Sequence, residues 1–423
     1  MIRNRNFRLL WLAQAISAAG DTFSFLAIQI RIDDLASGPG ESVRGVSMVL
    51  IAYALPTLLL GLFAGTMVDR WDRKRVMVVS DIARALIAPA YLLLQSSSDL
   101  PIAIAAAFLM ASFGVFFYPA RTALLPSMVE DDELMSSNGT MQLGNTIARL
   151  SGPALAGLVI ANWGVRTAFW IDSASFLVSG FLVLGISGVV TRVVSSQEDS
   201  RSTLQDFREG FRFALHSRLL QGITLGIAVA MLGIGAVNVL FVPFLRGAFA
   251  VEAAGLGGIE FAQGVGMLIG ALLMGALGKR FLPRNIAVLG MVGLGLGIGA
   301  TGMAPVLGLI VAAMPLVGFT LPPINASLTT MLQRGIPEAL LGRAGSVMEM
   351  ASSLTNLISM GLAGWIAGVV GLRETFVLAG AIVLIAGLAM GWMLKADKRI
   401  HADQEKNQQE RGRVQLQEVL AGD

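Results

Sequence analysis

Five ionisable side chains stand inside stretches that are otherwise apolar: Asp21, Arg149, Asp172, Glu260 and Glu349. A charge in such surroundings is costly and is kept where it meets a partner, a cavity or a moving ion. A carboxyl held out of water favours its proton, so Asp21 has the chemistry of a group that binds and releases one. Arg149 supplies the opposite charge, as partner to Asp21 or as holder of an anionic ligand group. The alternative is a permanent ion pair that braces the fold and destabilises it by several kcal/mol when broken. Glu349 is a third candidate for handling a proton or cation. Glu260 lies near a span end within reach of water. Asp172, two turns in, is placed to pair with Arg166 or to cap a neighbour. Asp81 and Arg84, three apart on one helix, are placed to extend the charge network of an adjacent basic loop.

Uncharged polar residues recur at helical intervals beside these groups. Gln14 and Ser17 share a face with Asp21, Gln142 and Asn145 precede Arg149, and Asn238 and Gln263 stand singly in later runs. Phe113, Phe116, Phe117 and Tyr118 crowd one segment, and 20 methionines add pliable apolar surface. A few polar groups in an apolar cavity suit an amphiphilic small molecule. Other chemistry finds no support. Gly297–Gly302 matches a dinucleotide-binding string but lies inside an apolar run, where glycines serve close helix packing. There is no cysteine, and the two histidines, His216 and His401, lie in polar segments. No metal site, cofactor, nucleophile–base pair or phosphate-binding loop is expected, and the chain does not read as an enzyme.

Only 14% of the 423 residues are charged and 55% are hydrophobic, against about 25% charged for a soluble domain. The chain therefore reads as an all-α integral membrane protein. With about 20 apolar residues needed per crossing, twelve spans are expected near 9–32, 46–68, 76–95, 101–125, 137–160, 166–189, 219–245, 256–278, 285–303, 305–331, 343–366 and 373–395. Of the 31 lysines and arginines, 24 fall on one side of this arrangement and five on the other, with Arg84 and Arg149 within spans. Both termini are then cytoplasmic. The basic residues reflect topology, so nucleic acid is not an expected partner. The basic start, Met1–Arg8, runs straight into a full-length span and does not read as a cleavable signal peptide.

The two halves of the chain look like copies. Trp163–Phe169 matches Val370–Phe376 at an offset of 207, and Gly65 with its charged loop has a weaker echo in Gly275 and Lys279–Arg284. The expected organisation is a six-helix bundle over 1–190, a cytoplasmic linker with an amphipathic helix over 191–217, a second bundle over 218–395 and a polar tail over 396–423. Two such halves with the same orientation are related by an axis along the membrane normal.

The loop between the second and third spans carries Gly65, Asp69, Arg70, Arg73 and Lys74. In that spacing it resembles the signature loop of the major facilitator superfamily, with Asp72 where a glycine usually stands. The resemblance implies twelve transmembrane helices in two pseudo-symmetric six-helix bundles and alternating access to a site between them. It also implies that Asp69 and its basic neighbours form a cytoplasmic gate against the facing half, near Gly342–Gly345. Asn6–Trp11, Gly20-Asp21, Pro119–Arg121, Leu125-Pro126 and Phe169–Ser173 resemble bacterial macrolide-efflux and enterobactin-export proteins. Gly152, Pro153 and Gly157, following Arg149, resemble the fifth-helix motif of antiporters. These resemblances imply a proton-coupled exporter of amphiphilic drugs, macrolide-like compounds or siderophores. Its expected setting is the bacterial inner membrane, as a monomer. A lysophospholipid transporter shares the outline, and a non-transporting membrane scaffold is the reading from another class.

Overall fold

The computed structural model describes residues 4–130, 133–187, 212–213, 215, 217–336 and 338–395. Of Gly65, Asp69 and Arg343 it describes the backbone but not the side chains. The tail over 396–423 and most of the linker, with its expected amphipathic helix, lie outside the described residues.

Each expected span is a helix: α1 Arg5–Leu35, α2 Pro39–Asp69, α3 Arg73–Ile87, α4 Leu100–Leu124, α5 Leu134–Trp163 and α6 Val165–Leu184. After the linker come α7 Arg218–Phe249, α8 Ala253–Arg280, α9 Pro283–Met303, α10 Leu307–Gly335, α11 Glu338–Val370 and α12 Leu372–Lys395. Local chemistry sets the starts. The Asn4 side chain accepts from the amides of Asn6 and Phe7, Asp72 from Arg75, and Ser217 from Leu220, each satisfying an amide with no partner inside its helix. Pro89 lacks the amide an α-helix needs and tightens the end of α3 into a 3-10 segment, Ala88–Leu93. Gly164 (φ 82°) and Gly371 (φ 103°) turn the chain from α5 to α6 and from α11 to α12. Both sit in the left-handed region that favours glycine, and they are 207 residues apart, the offset of the sequence repeat.

Among the described residues, eleven helices are long and apolar enough to cross a membrane. The exception is α5, which has the length, at 30 residues, but carries Gln142, Asn145, Arg149 and Asn162. Packing repeats as the sequence does. In the first six helices α1 packs on α5 and α6, α2 on α4, and α3 on α4 and α6. In the second six, α7 packs on α11 and α12, α8 on α10, and α9 on α10 and α12. The scheme is the same, shifted by six.

Between the two sets, α5 meets α8 and α2 meets α11, again equivalent crossings. Lipid offers no hydrophobic drive for association, so small residues that permit backbone approach decide such contacts. A methyl group built on Gly157 would lie 2.5 Å from the Ala253 carbonyl oxygen, and one on Gly364 would lie 3.3 Å from Arg44 Cγ. At the same end Arg246 of α7 binds Asp33 at 3.0 Å and Asp34 at 2.6 Å, both on α1. Toward the opposite end, the end of Asp69, no described glycine of these four helices makes a close approach to the other set. Methyl groups built on Gly61, Gly139, Gly275, Gly342 or Gly345 would meet no neighbour within 4 Å.

Candidate functional site

Inside the first six helices lies a buried polar core. Asp172 on α6 is fully buried, and its carboxylate faces the buried hydroxyl of Ser24 on α1 without a hydrogen bond of good geometry between them. Both residues line a cavity of about 30 Å³ with Asp21 of α1, Tyr53 of α2 and Tyr91 at the end of α3. Asp81 and Arg84 on α3 form a buried ion pair at 2.6 Å, and Ser179 of α6 donates to Asp81 at 2.7 Å. The Arg84 guanidinium lies 4.8 Å from the ring centroid of Phe117 and 4.3 Å from that of Phe176. The expectation that this pair extends the loop's network is corrected: it is an internal brace, because both residues point into the α3–α4–α6 packing.

A larger cavity, about 310 Å³, lies among α7, α10 and α11. Glu349 contributes its only ionisable group, beside Asn325, Thr329, Ser352 and Asn356, with Met231 and Met348 among the apolar walls. The Asn356 amide oxygen is buried without a partner. The lining is therefore acidic, amide-rich and apolar at once. It can accept hydrogen bonds and cationic groups while burying hydrocarbon.

The charged loop is anchored within its own set of helices. Arg73 donates to the Ala123 carbonyl at 2.9 Å, near the end of α4. Lys74 donates to the carbonyls of Leu184 and Ile186, at the end of α6. Cations at helix C-termini satisfy carbonyls left without amide partners and complement the helix dipole. Asp72 caps α3, which explains why a carboxylate serves where a glycine was expected. Arg70 follows the last residue of α2 and is exposed.

The chain matches, over residues 1–420, a family model described as transmembrane secretion effector. It belongs to that family, within the major facilitator superfamily. It is 27% identical over 362 residues to the multidrug efflux pump Tap of Mycolicibacterium fortuitum, covering 82% of this chain and 86% of that one. To macrolide efflux protein A of Streptococcus pyogenes it is 25% identical over 389 residues, covering 89% and 93%. The fold matches the nucleoside transporter NupG with a TM-score of 0.76 at 11% identity, covering 92% of this chain and 98% of that one. It matches an inward-facing bacterial homologue of ferroportin with a TM-score of 0.73 at 18% identity, covering 92% and 97%.

In this major facilitator chain the site residues expected from sequence separate into groups. Asp21 is half-buried and shares its cavity with Asp172. Arg149 is exposed and makes no ion pair with Asp21, and Arg166, also exposed, makes none with Asp172. Neither expected pair forms a salt bridge, although Arg149 lies near enough to act on the charge of Asp21. Gln14 is bound by Arg121 at 2.8 Å, and Ser17 is buried and donates to the Gln14 carbonyl. Phe117 packs beneath Arg84, while Phe113 is half-buried. Gln142 and Asn238 are exposed, Asn145 and Gln263 intermediate, and the amide oxygen of Asn145 has no partner. None of these eight lines either cavity described above. Gly152 lies against Thr22 of α1, and the Pro153 carbonyl lies against Gly257 of α8. The antiporter-like motif thus forms the close crossing between the two sets.

Sequence reasoning missed Asn325, Ser352 and Asn356. The repeat held the signal for two of them. Moved by 207, the α5 face of Gln142, Asn145 and Arg149 becomes Glu349, Ser352 and Asn356.

Proposed function

We propose that this chain is a secondary active exporter that moves amphiphilic small molecules out of the bacterial cell in exchange for protons. Its two six-helix halves, 1–190 and 218–395, rock about the α2–α11 and α5–α8 crossings. The observation that carries this reading is the asymmetry of those crossings: the close glycine approaches between the sets and the Arg246 pairs lie toward one end, and no described glycine makes such an approach toward the Asp69 end. A cleft closed at one end and open at the other is one of the two states that alternating access requires. The lysine and arginine distribution supports a cytoplasmic Asp69 end, and on that reading the conformation is inward-open. Efflux-pump relatives support the direction of transport.

Roles follow from placement. Asp21, half-buried beside Asp172, carries the coupling proton. Glu349 presents a carboxylate to the basic part of a lipophilic ligand in the larger cavity, and Arg149 is free to hold an anionic group. Arg73 and Lys74 tie the loop to α4 and α6, so Asp69 moves with the first half as a rigid body. In the opposite state Asp69 meets the first two turns of α11, whose free amides begin at Glu338 and whose Gly342 and Gly345 leave room for a carboxylate.

The test is transport in proteoliposomes. Asp21→Asn, reconstituted at normal yield, is expected to lose uphill transport driven by a pH gradient while keeping ligand exchange without one. Full gradient-driven transport by that variant would remove Asp21 from coupling.

A further inference from the structure

Arg284 stands where a cation is least welcome. It is the second residue of α9, at the positive end of that helix's dipole. Leu282 caps the helix and offers no side-chain acceptor, and Pro283 has no amide, so the amides of Arg284 and Asn285 are left open. Only 9% of the Arg284 surface is exposed. Its Nε and Nη2 reach the Asn285 side-chain oxygen at 3.4 and 3.5 Å, which holds the guanidinium over the first turn of α9. Its Nη1 is buried without a partner, and among the described residues Arg284 forms no ion pair.

The first six helices show why this guanidinium is stranded. Its repeat mate is Lys74, which precedes it by the same interval that separates Gly65 from Gly275. Lys74 donates to the carbonyls of Leu184 and Ile186, where α6 has ended. At the offset of 207 that end falls on Gly391, yet α12 runs on as helix to Lys395. The carbonyl at that level is taken by the helix itself. Gly391 packs on Val288 of α9, and the residues beside that contact, Trp392 and Leu289, are exposed and apolar. In a bilayer they meet lipid, with the tryptophan suited to headgroup level. Lys279 and Arg280 at the end of α8 and Arg334 at the end of α10 add exposed positive charge.

We propose that Arg284 and the open amides of α9 bind the phosphate of an anionic phospholipid from the leaflet at the Asp69 end. A guanidinium and a helix N-terminus each suit a phosphate, and basic pockets between membrane helices take such headgroups. The surrounding lysine and arginines favour a lipid of net negative charge over a zwitterionic one. Occupancy is measured without transport, so this idea and the exporter reading can fail separately.

The experiment titrates the full chain, delipidated in detergent micelles, with phosphatidylglycerol, phosphatidylcholine or inorganic phosphate. Thermal unfolding and the lipid retained in native mass spectrometry are the readouts. Phosphatidylglycerol should bind and raise the unfolding midpoint, phosphatidylcholine should do so far less, and inorganic phosphate should have no effect. Arg284→Gln should weaken phosphatidylglycerol binding at least about tenfold, while Lys279→Gln with Arg280→Gln keeps most of it. Asn285→Asp sets a resident carboxylate beside the guanidinium. It should raise the midpoint without lipid and abolish the lipid's effect, and it serves if Arg284→Gln does not fold. A phosphatidylglycerol effect that survives both Arg284→Gln and Asn285→Asp, or equal shifts from the two lipids, would overturn the proposal. An equal, Arg284-dependent shift with inorganic phosphate would overturn the lipid as occupant.

Discussion

Gly180 of α6 packs on Asp81 of α3, and one repeat later Gly387 of α12 packs on Met291 of α9. The correspondence continues around that contact. Arg84 falls opposite Leu294, Ser179 opposite Ala386 and Asp172 opposite Ala379. Ser173 donates to the Ala85 carbonyl, and in its place Gly380 approaches the Gly295 carbonyl. The same helix packing is thus built twice, once around buried carboxylates, a guanidinium and hydroxyls, and once around methionine, leucine and alanine. Since the apolar version holds, the packing does not require the charges. A buried ion pair is in any case weak evidence for stability. The first six helices therefore carry a polar core for reasons other than cohesion, and proton handling by Asp21 is the reading proposed for it. The second six keep an apolar core and place their one cavity carboxylate, Glu349, in the larger ligand-sized space.

The comparison breaks or holds most visibly at the ion pair. Arg84→Leu leaves Asp81 buried and uncompensated, and should destabilise the chain by about 3–5 kcal/mol. Asp81→Met combined with Arg84→Leu copies Met291 and Leu294 of the other half and should recover most of that loss. Thermal unfolding in detergent, followed by retention of the monodisperse peak, reads both. A double variant no more stable than the single one would mean that the two halves are not interchangeable in packing.

A smaller effect is expected where the halves cross. Gly157 faces the Ala253 carbonyl, which is backbone and cannot swing aside, so Gly157→Ala should cost about 1–3 kcal/mol through overpacking. Its repeat mate Gly364 faces the stem of Arg44, a flexible side chain, and Gly364→Ala should cost clearly less. Measuring both variants side by side sharpens the comparison, because the two crossings are equivalent in topology and differ only in what meets the glycine. Equal losses would show that the side chain of Arg44 is held as firmly as backbone.

Much of the fold was legible because a membrane imposes a length on each helix, and because the Gly164 and Gly371 turns repeat at a fixed offset. What was not legible is azimuth. A sequence gives the depth of a charge along a helix but not which neighbour that face meets. Asp81 and Arg84 sit close enough to the basic loop in sequence to suggest a shared network, yet they face Ser179, Phe117 and Phe176. For the same reason Asp21 was matched with Arg149 by depth, while the structure turns Asp21 toward Asp172. The Glu349 cavity was half legible. Its α11 face is the repeat image of a face already noticed on α5, but Asn325 on α10 has no such pointer.

The least costly change tests the contrast between the closed and open ends. Arg246 joins α7 to α1 through Asp33, Asp34 and the Ile30 carbonyl, and Asp33 is also bound by the Ser42 hydroxyl. Its side chain keeps 25% of its surface exposed and those of Asp33 and Asp34 keep 18% and 37%, so the pairs are screened and together contribute about 1 kcal/mol. That is too little to unfold anything, but on the proposed rocking motion the contact exists only while this end is closed. A state-specific interaction of that size shifts a two-state equilibrium about fivefold. Arg246→Ala should therefore lower the labelling of a cysteine placed at Gly61 and raise that of one placed at Ser42, with little change in thermal stability. The chain has no cysteine of its own, so each reporter stands alone. Unchanged labelling at both positions would reduce the Arg246 pairs to surface contacts and leave the close helix crossings as what holds that end shut.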